Sequence, residues 1–168
     1  MKPFTERCSN MLLGKKRKLG REIKEINSGE KLAFTEKVED KDLLLFLGLT
    51  DDANPLYIQH DYASQTPFKK PIVPTIMLTG MITSAVSKYL PGPGSHILSQ
   101  ELAFPKPVYH YGTVNFLLEV IEVNHDDHTI LVSVVGKNEE GETVVHGQLT
   151  VCPPHRLPKM DSHVLDNF

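Results

Sequence analysis

Hydrophobic positions along this chain change their period once. Between residues 75 and 90 they recur as pairs, Met77/Leu78, Met81/Ile82, Ala85/Val86 and Tyr89/Leu90. Recurrence every four residues lays one broad apolar stripe along a helix. The other side carries Thr79, Gly80, Thr83, Ser84 and Ser87, all small and uncharged, so the pattern predicts a helix that can be buried on both faces. Pro74 suits the first helical position, where its missing N–H costs nothing. Pro91-Gly92-Pro93-Gly94 stops the helix. After that stop the period falls to two. Val114, Phe116, Leu118 and Val120 alternate with polar or outward positions, as do Ile130, Val132 and Val134, then Val145, Gly147, Leu149 and Val151. Asn124-His125-Asp126-Asp127 and Asn138-Glu139-Glu140-Gly141 read as hairpin connectors. With residues 95–104 this makes four consecutive antiparallel strands. A long helix followed by such a meander predicts an α+β domain with a sheet wrapped around the helix.

The N-terminal half is less regular. Residues 32–38 alternate and suit a strand. Asp40 can cap a short helix bearing Leu43, Leu44, Phe46 and Leu47. From Thr50 to Lys70 turn formers dominate, giving a structured loop with a short helix near Asp61. Residues 1–20 form an arm with the basic run Lys15-Lys16-Arg17-Lys18. Such a run is a solvated face or a patch for an anionic partner, a nucleotide phosphate or an acidic carrier protein. The division is therefore an arm at 1–20, a domain at 21–152 and a proline-containing tail at 153–168.

Composition narrows the class. A chain of 168 residues is one domain long and can bury a core. A formal net charge of −3 is not that of a nucleic-acid binder, and the arm shows no helix-turn-helix pattern. No apolar run spans a membrane, and Met11-Leu12-Leu13 is too short for a signal peptide, so the expected location is cytoplasmic. Cys8 and Cys152 have no ligand-like spacing, which predicts a reducing compartment with neither disulfide framework nor zinc site.

The chemistry lies in separate pieces that occur in order: Asp52-Ala53-Asn54-Pro55-Leu56, Tyr62-Ala63, Phe68, Pro71-Ile72-Val73 before the helix, and Phe104 with Pro107-Val108. Together they resemble the MaoC-like hydratases, the (R)-specific enoyl-CoA hydratases and related 3-hydroxyacyl-thioester dehydratases of the hot-dog fold. The resemblance covers about residues 20–152. It implies a central helix enclosed by an antiparallel sheet, and a homodimer or dimer of dimers with the acyl-thioester between subunits. It also implies a substrate carried on coenzyme A or the phosphopantetheine of an acyl carrier protein, with no separate cofactor and no metal. The family's catalytic pair is an aspartate and a histidine in Asp-x-Asn-Pro-Leu-His. A backbone N–H at the start of the central helix holds the thioester oxygen, a role that suits the free donors and positive dipole of a helix N-terminus.

Carried over by position, Asp52 matches the catalytic aspartate and Asn54 the motif asparagine, while Tyr57 stands where the histidine belongs. The family's His-Gly before the helix is Pro74-Thr75 here, so Thr75 would offer the backbone donor. Tyrosine, with an ordinary pKa of about 10, is a poor base at neutral pH. Losing a general acid–base group costs roughly 10²- to 10⁴-fold in rate. His60 offers a displaced substitute if residues 57–62 form one helical turn, which would put it on the same face as Tyr57. Otherwise it is an exposed histidine beside Asp61. His110 reads as a rim residue, His125 and His128 as turn residues, and His146 as a surface or interface residue. Lys69, Lys70 and Lys106 are candidates for the phosphates of the carrier arm, or plain solvated lysines.

The expected function is hydration of trans-2-enoyl thioesters, or dehydration of (R)-3-hydroxyacyl thioesters, in fatty-acid metabolism. Asp52 would activate water, Tyr57 or His60 would assist, and Asn54, Pro74, Thr75, Lys70 and Lys106 would shape the substrate site. The alternatives are an acyl-thioester-binding protein without turnover, acting as sensor or partner subunit, and a thioesterase in which Asp52 directs water at the carbonyl.

Overall fold

The computed structural model describes residues 19–156. The basic run at 15–18 and the end of the tail lie outside them. Five strands form one antiparallel sheet: β1 (Lys31–Lys37), β2 (His96–Ala103), β3 (Thr113–Asn124), β4 (Thr129–Lys137) and β5 (Thr143–Cys152). The order across the sheet is β1-β3-β4-β5-β2. The meander is therefore β3-β4-β5, and β2 does not pair with β3 as its place in the chain suggested. It crosses to the far edge and pairs with β5 instead. Sequence alternation identifies a strand but carries no information about its neighbour.

Alternation sets the inside of the sheet. Val114, Phe116, Leu118 and Val120 of β3 point inward, as do Ile130, Val132 and Val134 of β4. Phe116 stacks on Phe34 of β1, with ring centroids 4.8 Å apart. Two glycines permit close approach. At Gly136 a Cβ would stand 2.6 Å from Val145, so the position is kept empty for its neighbours. At Gly147, with φ of +155°, a Cβ would meet the Glu101 carbonyl oxygen at 1.9 Å, so only glycine lets β2 lie this close to β5. Register shifts at Val120/Glu122 and Ile97/Ser99 mark bulges, which bend a sheet and increase its twist.

Four helices follow β1 in two groups. They are α1 (Asp40–Thr50), α2 (Pro55–Ile58), α3 (His60–Ser64) and α4 (Thr75–Lys88). Helix α1 starts one residue earlier than a cap at Asp40 would allow, because Glu39 is the N-cap and Asp40 the first helical residue. Glu39 and Asp42 form a capping box that satisfies two first-turn donors. Helix α4 starts one residue later than the proline rule predicts, with Pro74 as N-cap. Its Leu78, Ile82, Ala85 and Val86 join the sheet's inner residues in one core. The small face is only partly buried in the single chain: Thr79 is buried and Thr83 and Ser84 are half-buried, but Gly80 and Ser87 are exposed. Only half of the two-sided burial is seen. After α4, the Pro91–Gly94 loop accepts hydrogen bonds from the N–H groups of Gly20 and Arg21 onto Pro93 and Pro91. The entering chain thus closes one end of the helix.

Candidate active site

The loop that leaves α1 is held by its own polar side chains. Asp51 ends the helix in the left-handed conformation, φ +55°. The Asn54 N–H donates to Asp52 Oδ1 at 3.2 Å, and the Leu56 N–H donates to Asn54 Oδ1 at 3.0 Å. Asn54 is thus the N-cap of α2 and Pro55 its first residue, a local order that the sequence Asn-Pro encodes directly. Asp52 is exposed, with one carboxylate oxygen bonded into the turn. Tyr57 is half-buried, its ring set edge-on to Phe46 of α1 at 6.5 Å.

Three strand-like contacts place this loop beside the start of α4. The Ile72 N–H donates to the Leu56 carbonyl at 3.2 Å, and the Val73 N–H to the Val108 carbonyl at 2.8 Å. Ile72 also bridges to Tyr109. The Tyr109 hydroxyl donates to the Phe68 carbonyl at 3.0 Å, fixing the loop's return. At the head of α4 the N-cap residue is a proline, whose side chain supplies no acceptor. Thr75 and Ile76 are exposed there. The first-turn N–H groups of a helix have no intrahelical partner, so this end is a ready donor for an oxyanion.

The premise for His60 fails. Helix α2 ends at Ile58, Gln59 is extended, and α3 begins at His60. Tyr57 and His60 therefore do not share a helical face. His60 instead faces His110, with ring centroids 6.5 Å apart and planes nearly perpendicular. His110 is half-buried, at the rim rather than on the open surface. Its Nε2 is buried without a hydrogen-bond partner. Burial holds its pKa below the ordinary value of 6.5, against the raising effects of the Tyr57 and Ile72 backbone and the Asp40 charge, while His60 adds to the lowering. Asp40 also accepts a hydrogen bond from the Tyr111 hydroxyl. His110 is thus a neutral wedge between α2 and the turn that opens β3. Nothing in the spacing of Val108-Tyr109-His110-Tyr111 marks it as such.

The lysines divide. Lys69 and Lys70 are exposed on the loop, Lys69 with φ of +65°. Lys106 is exposed and lies 3.6 Å from Glu142 across the surface, so it arrives at any phosphate already paired.

Comparison with known proteins decides the family. The model of the MaoC-like domain matches residues 24–143. The chain belongs to the MaoC-like domain family. It is 29% identical to an (R)-specific enoyl-CoA hydratase of Rhodospirillum rubrum over 80% of this chain and 92% of the relative. It is 28% identical to the enzyme of the same name from Aeromonas caviae over 75% and 94%. Among solved structures it is similar to the unliganded R-hydratase of Pseudomonas aeruginosa, with a TM-score of 0.75 and 28% identity, covering 84% of this chain and 96% of that one. The fold is the hot-dog fold of this MaoC-like family, α+β with the sheet folded about α4.

Proposed function

We propose that this MaoC-like protein adds water across the double bond of trans-2-enoyl thioesters, or removes it from (R)-3-hydroxyacyl thioesters. The observation that carries the reading is the Asp52–Tyr57 loop, closed by its own hydrogen bonds and tied through Leu56 and Ile72 to the segment that enters α4. Relatives named (R)-specific enoyl-CoA hydratase and 3-hydroxybutyryl-CoA dehydratase support it. Asp52 takes a proton from water, and the hydroxyl oxygen bonds to the β-carbon. The electron pair moves through the conjugated system to the thioester oxygen, where the Thr75 N–H stabilises the charge. The α-carbon then receives a proton from the Tyr57 hydroxyl, and the proton held by Asp52 returns the site to its starting state. Asn54 positions the loop, and Pro74 leaves the helix donors free. His60 assists only if it turns from His110 toward the water. Lys70 and Lys106 meet the phosphates of coenzyme A or the charge around phosphopantetheine, and no other cofactor is needed.

In this reading the working unit is a homodimer in the cytoplasm. The exposed Leu44, Leu45 and Leu49 of α1 and Ile76 of α4 support a covering partner. A relative from Mycobacterium tuberculosis is itself found in a two-component complex.

One observation favours a second reading, binding without turnover. The only residue at the histidine position is Tyr57, and the fold does not bring His60 onto its face. A single assay separates the two. Short trans-2-enoyl-CoA is followed by loss of its conjugated absorbance, for wild type, Asp52→Asn, Tyr57→Phe and Tyr57→His. Turnover that collapses in Asp52→Asn and rises in Tyr57→His supports the hydratase. Saturable binding with no turnover in wild type, and gain of turnover in Tyr57→His, supports the binding protein. Release of free thiol would instead mark a thioesterase.

A further inference from the structure

A second cluster of reactive side chains lies away from the Asp52 loop. His128 ends the β3–β4 turn, Cys152 is the last residue of β5, and His155 follows two prolines later. His110 and His128 flank β3 at opposite ends, so the cluster belongs to the other end of the sheet. One donor atom from each of the three lies within 4.8 Å of the others. Cys152 Sγ is 3.6 Å from His155 Nε2. Around tetrahedral zinc, with bonds of about 2.3 Å to sulfur and 2.0–2.1 Å to nitrogen, a sulfur and a nitrogen sit roughly 3.5 Å apart. The observed separation, which a thiol–imidazole hydrogen bond also gives, matches one edge of such a polyhedron.

Two further features fit a metal. His128 Nε2 lies 3.1 Å from the Pro153 carbonyl oxygen. A carbonyl only accepts, so Nε2 carries the proton and Nδ1 keeps its lone pair. Metal-ligating histidines are oriented in this way by a backbone carbonyl on the other nitrogen. The segment that presents Cys152 and His155 is anchored, because Pro153 and Pro154 between them are buried. The His128 and His155 rings are stacked, centroids 3.9 Å apart. Coordination by both requires one ring to turn out of the stack. His155 is exposed and has room to do so. His96 is the cross-strand partner of Cys152 and stands outside the cluster. Its cross-strand place makes it a candidate for a fourth position, which water fills otherwise.

We propose that His128, Cys152 and His155 bind a borderline divalent cation, zinc in the first instance, which staples the chain leaving β5 to the β3–β4 turn. One thiolate and two imidazoles form the donor set zinc favours, while calcium and magnesium demand oxygen. The spacing of two cysteines in the chain pointed away from any metal. The donors are supplied instead by the sheet, which brings a turn histidine against Cys-Pro-Pro-His.

The test uses the reduced, tag-free full chain with Cys8→Ser, so that Cys152 is the only thiol. Cobalt(II) is titrated in and displaced by zinc. The expected result is saturation at one ion per chain with a near-ultraviolet thiolate-to-cobalt band and the visible absorbance of four-coordination. Cys152→Ser removes that band. His128→Ala and His155→Ala each weaken binding by more than the roughly 10- to 100-fold typical of losing a group that merely orients a ligand. In the unmutated site, zinc moves the ring resonances of both histidines in nuclear magnetic resonance and raises Tm by linkage. These two readouts do not depend on any variant folding. A cobalt complex without the thiolate band, or zinc affinity unchanged in Cys152→Ser and His155→Ala, overturns the proposal. Loss in His96→Ala would give that histidine the fourth place, and no loss would give it to water. Neither result removes the three-residue core.

Discussion

In the β3–β4–β5 meander, Val114, Leu118, Val120, Val132 and Val145 lose all contact with water. In the loop from Asp51 to Asp61, every residue is exposed or half-buried, and polar side chains bonded to the backbone fix its path. The two regions meet through Tyr109, His110 and the turn into β3. The difference separates what each can tolerate. Apolar burial is non-directional and collective, at about 25 cal/mol per Å², so the meander tolerates changes at its surface and none of volume in its core. The loop depends on single directional bonds, each with a net worth of about 0.5–1.5 kcal/mol. It can be rearranged at small thermodynamic cost and large chemical cost.

The sharpest way to use that contrast is Asp52→Asn. The amide keeps an oxygen for the Asn54 N–H, so the turn survives while the base is lost. Hydration should fall by roughly 10²- to 10⁴-fold, and Tm should stay within a degree or two of wild type. Equal loss of Tm and activity would mean that Asp52 acts through the fold.

The reverse experiment is Phe116→Ala. The ring is 2% exposed and stacked on Phe34. Its removal should cost about 3–5 kcal/mol in denaturant unfolding. At low temperature the rate per folded molecule should hold, because the loop's bonds are local. A variant that stays folded yet loses its rate would break the comparison.

This division also explains what the chain revealed before its fold was known. Period two in β3, β4 and β5 reports a sheet with one buried face, because burial and alternation have the same cause. The pairs in α4 did the same for the helix. The Asn54 cap and Pro55 were legible because both act within two residues. What failed were relations over distance. The partner of β2 was missed, since alternation fixes a face and not a neighbour. The shared face of Tyr57 and His60 depended on a helix that breaks at Gln59. His110 looked like a loop residue because its burial is made by α2, which lies about fifty residues earlier (residues 55–58).

A smaller effect probes the loop's own scaffold. Asn54→Ala removes the N-cap acceptor of α2 and should cost about 0.5–2 kcal/mol locally. Amide exchange should quicken at residues 54–58 and stay slow in the meander. Activity should fall less than in Asp52→Asn, since Pro55 still starts the turn. Exchange that quickens throughout would show that the loop and sheet open as one unit.

The smallest effect concerns the place where the two regions touch. The pKa of His110 is lowered in the fold, by burial first. Above the ordinary value of 6.5 the ring is neutral in both folded and unfolded chains, and it brings no penalty. As pH falls below that value, the unfolded chain takes up the proton first. Stability is therefore lost progressively until pH passes the folded value, where the loss is complete. Asp40, which accepts from Tyr111, and His60 both act on the ring, so other ionisable groups lie nearby and the comparison must be differential. Between pH 7.5 and 5, Tm of wild type should drop further than that of His110→Gln, which has no proton to gain. Parallel curves would assign the acid sensitivity to the surface. A gap that begins to open as pH falls through about 6.5 and then widens would assign the sensitivity to the wedge between α2 and β3.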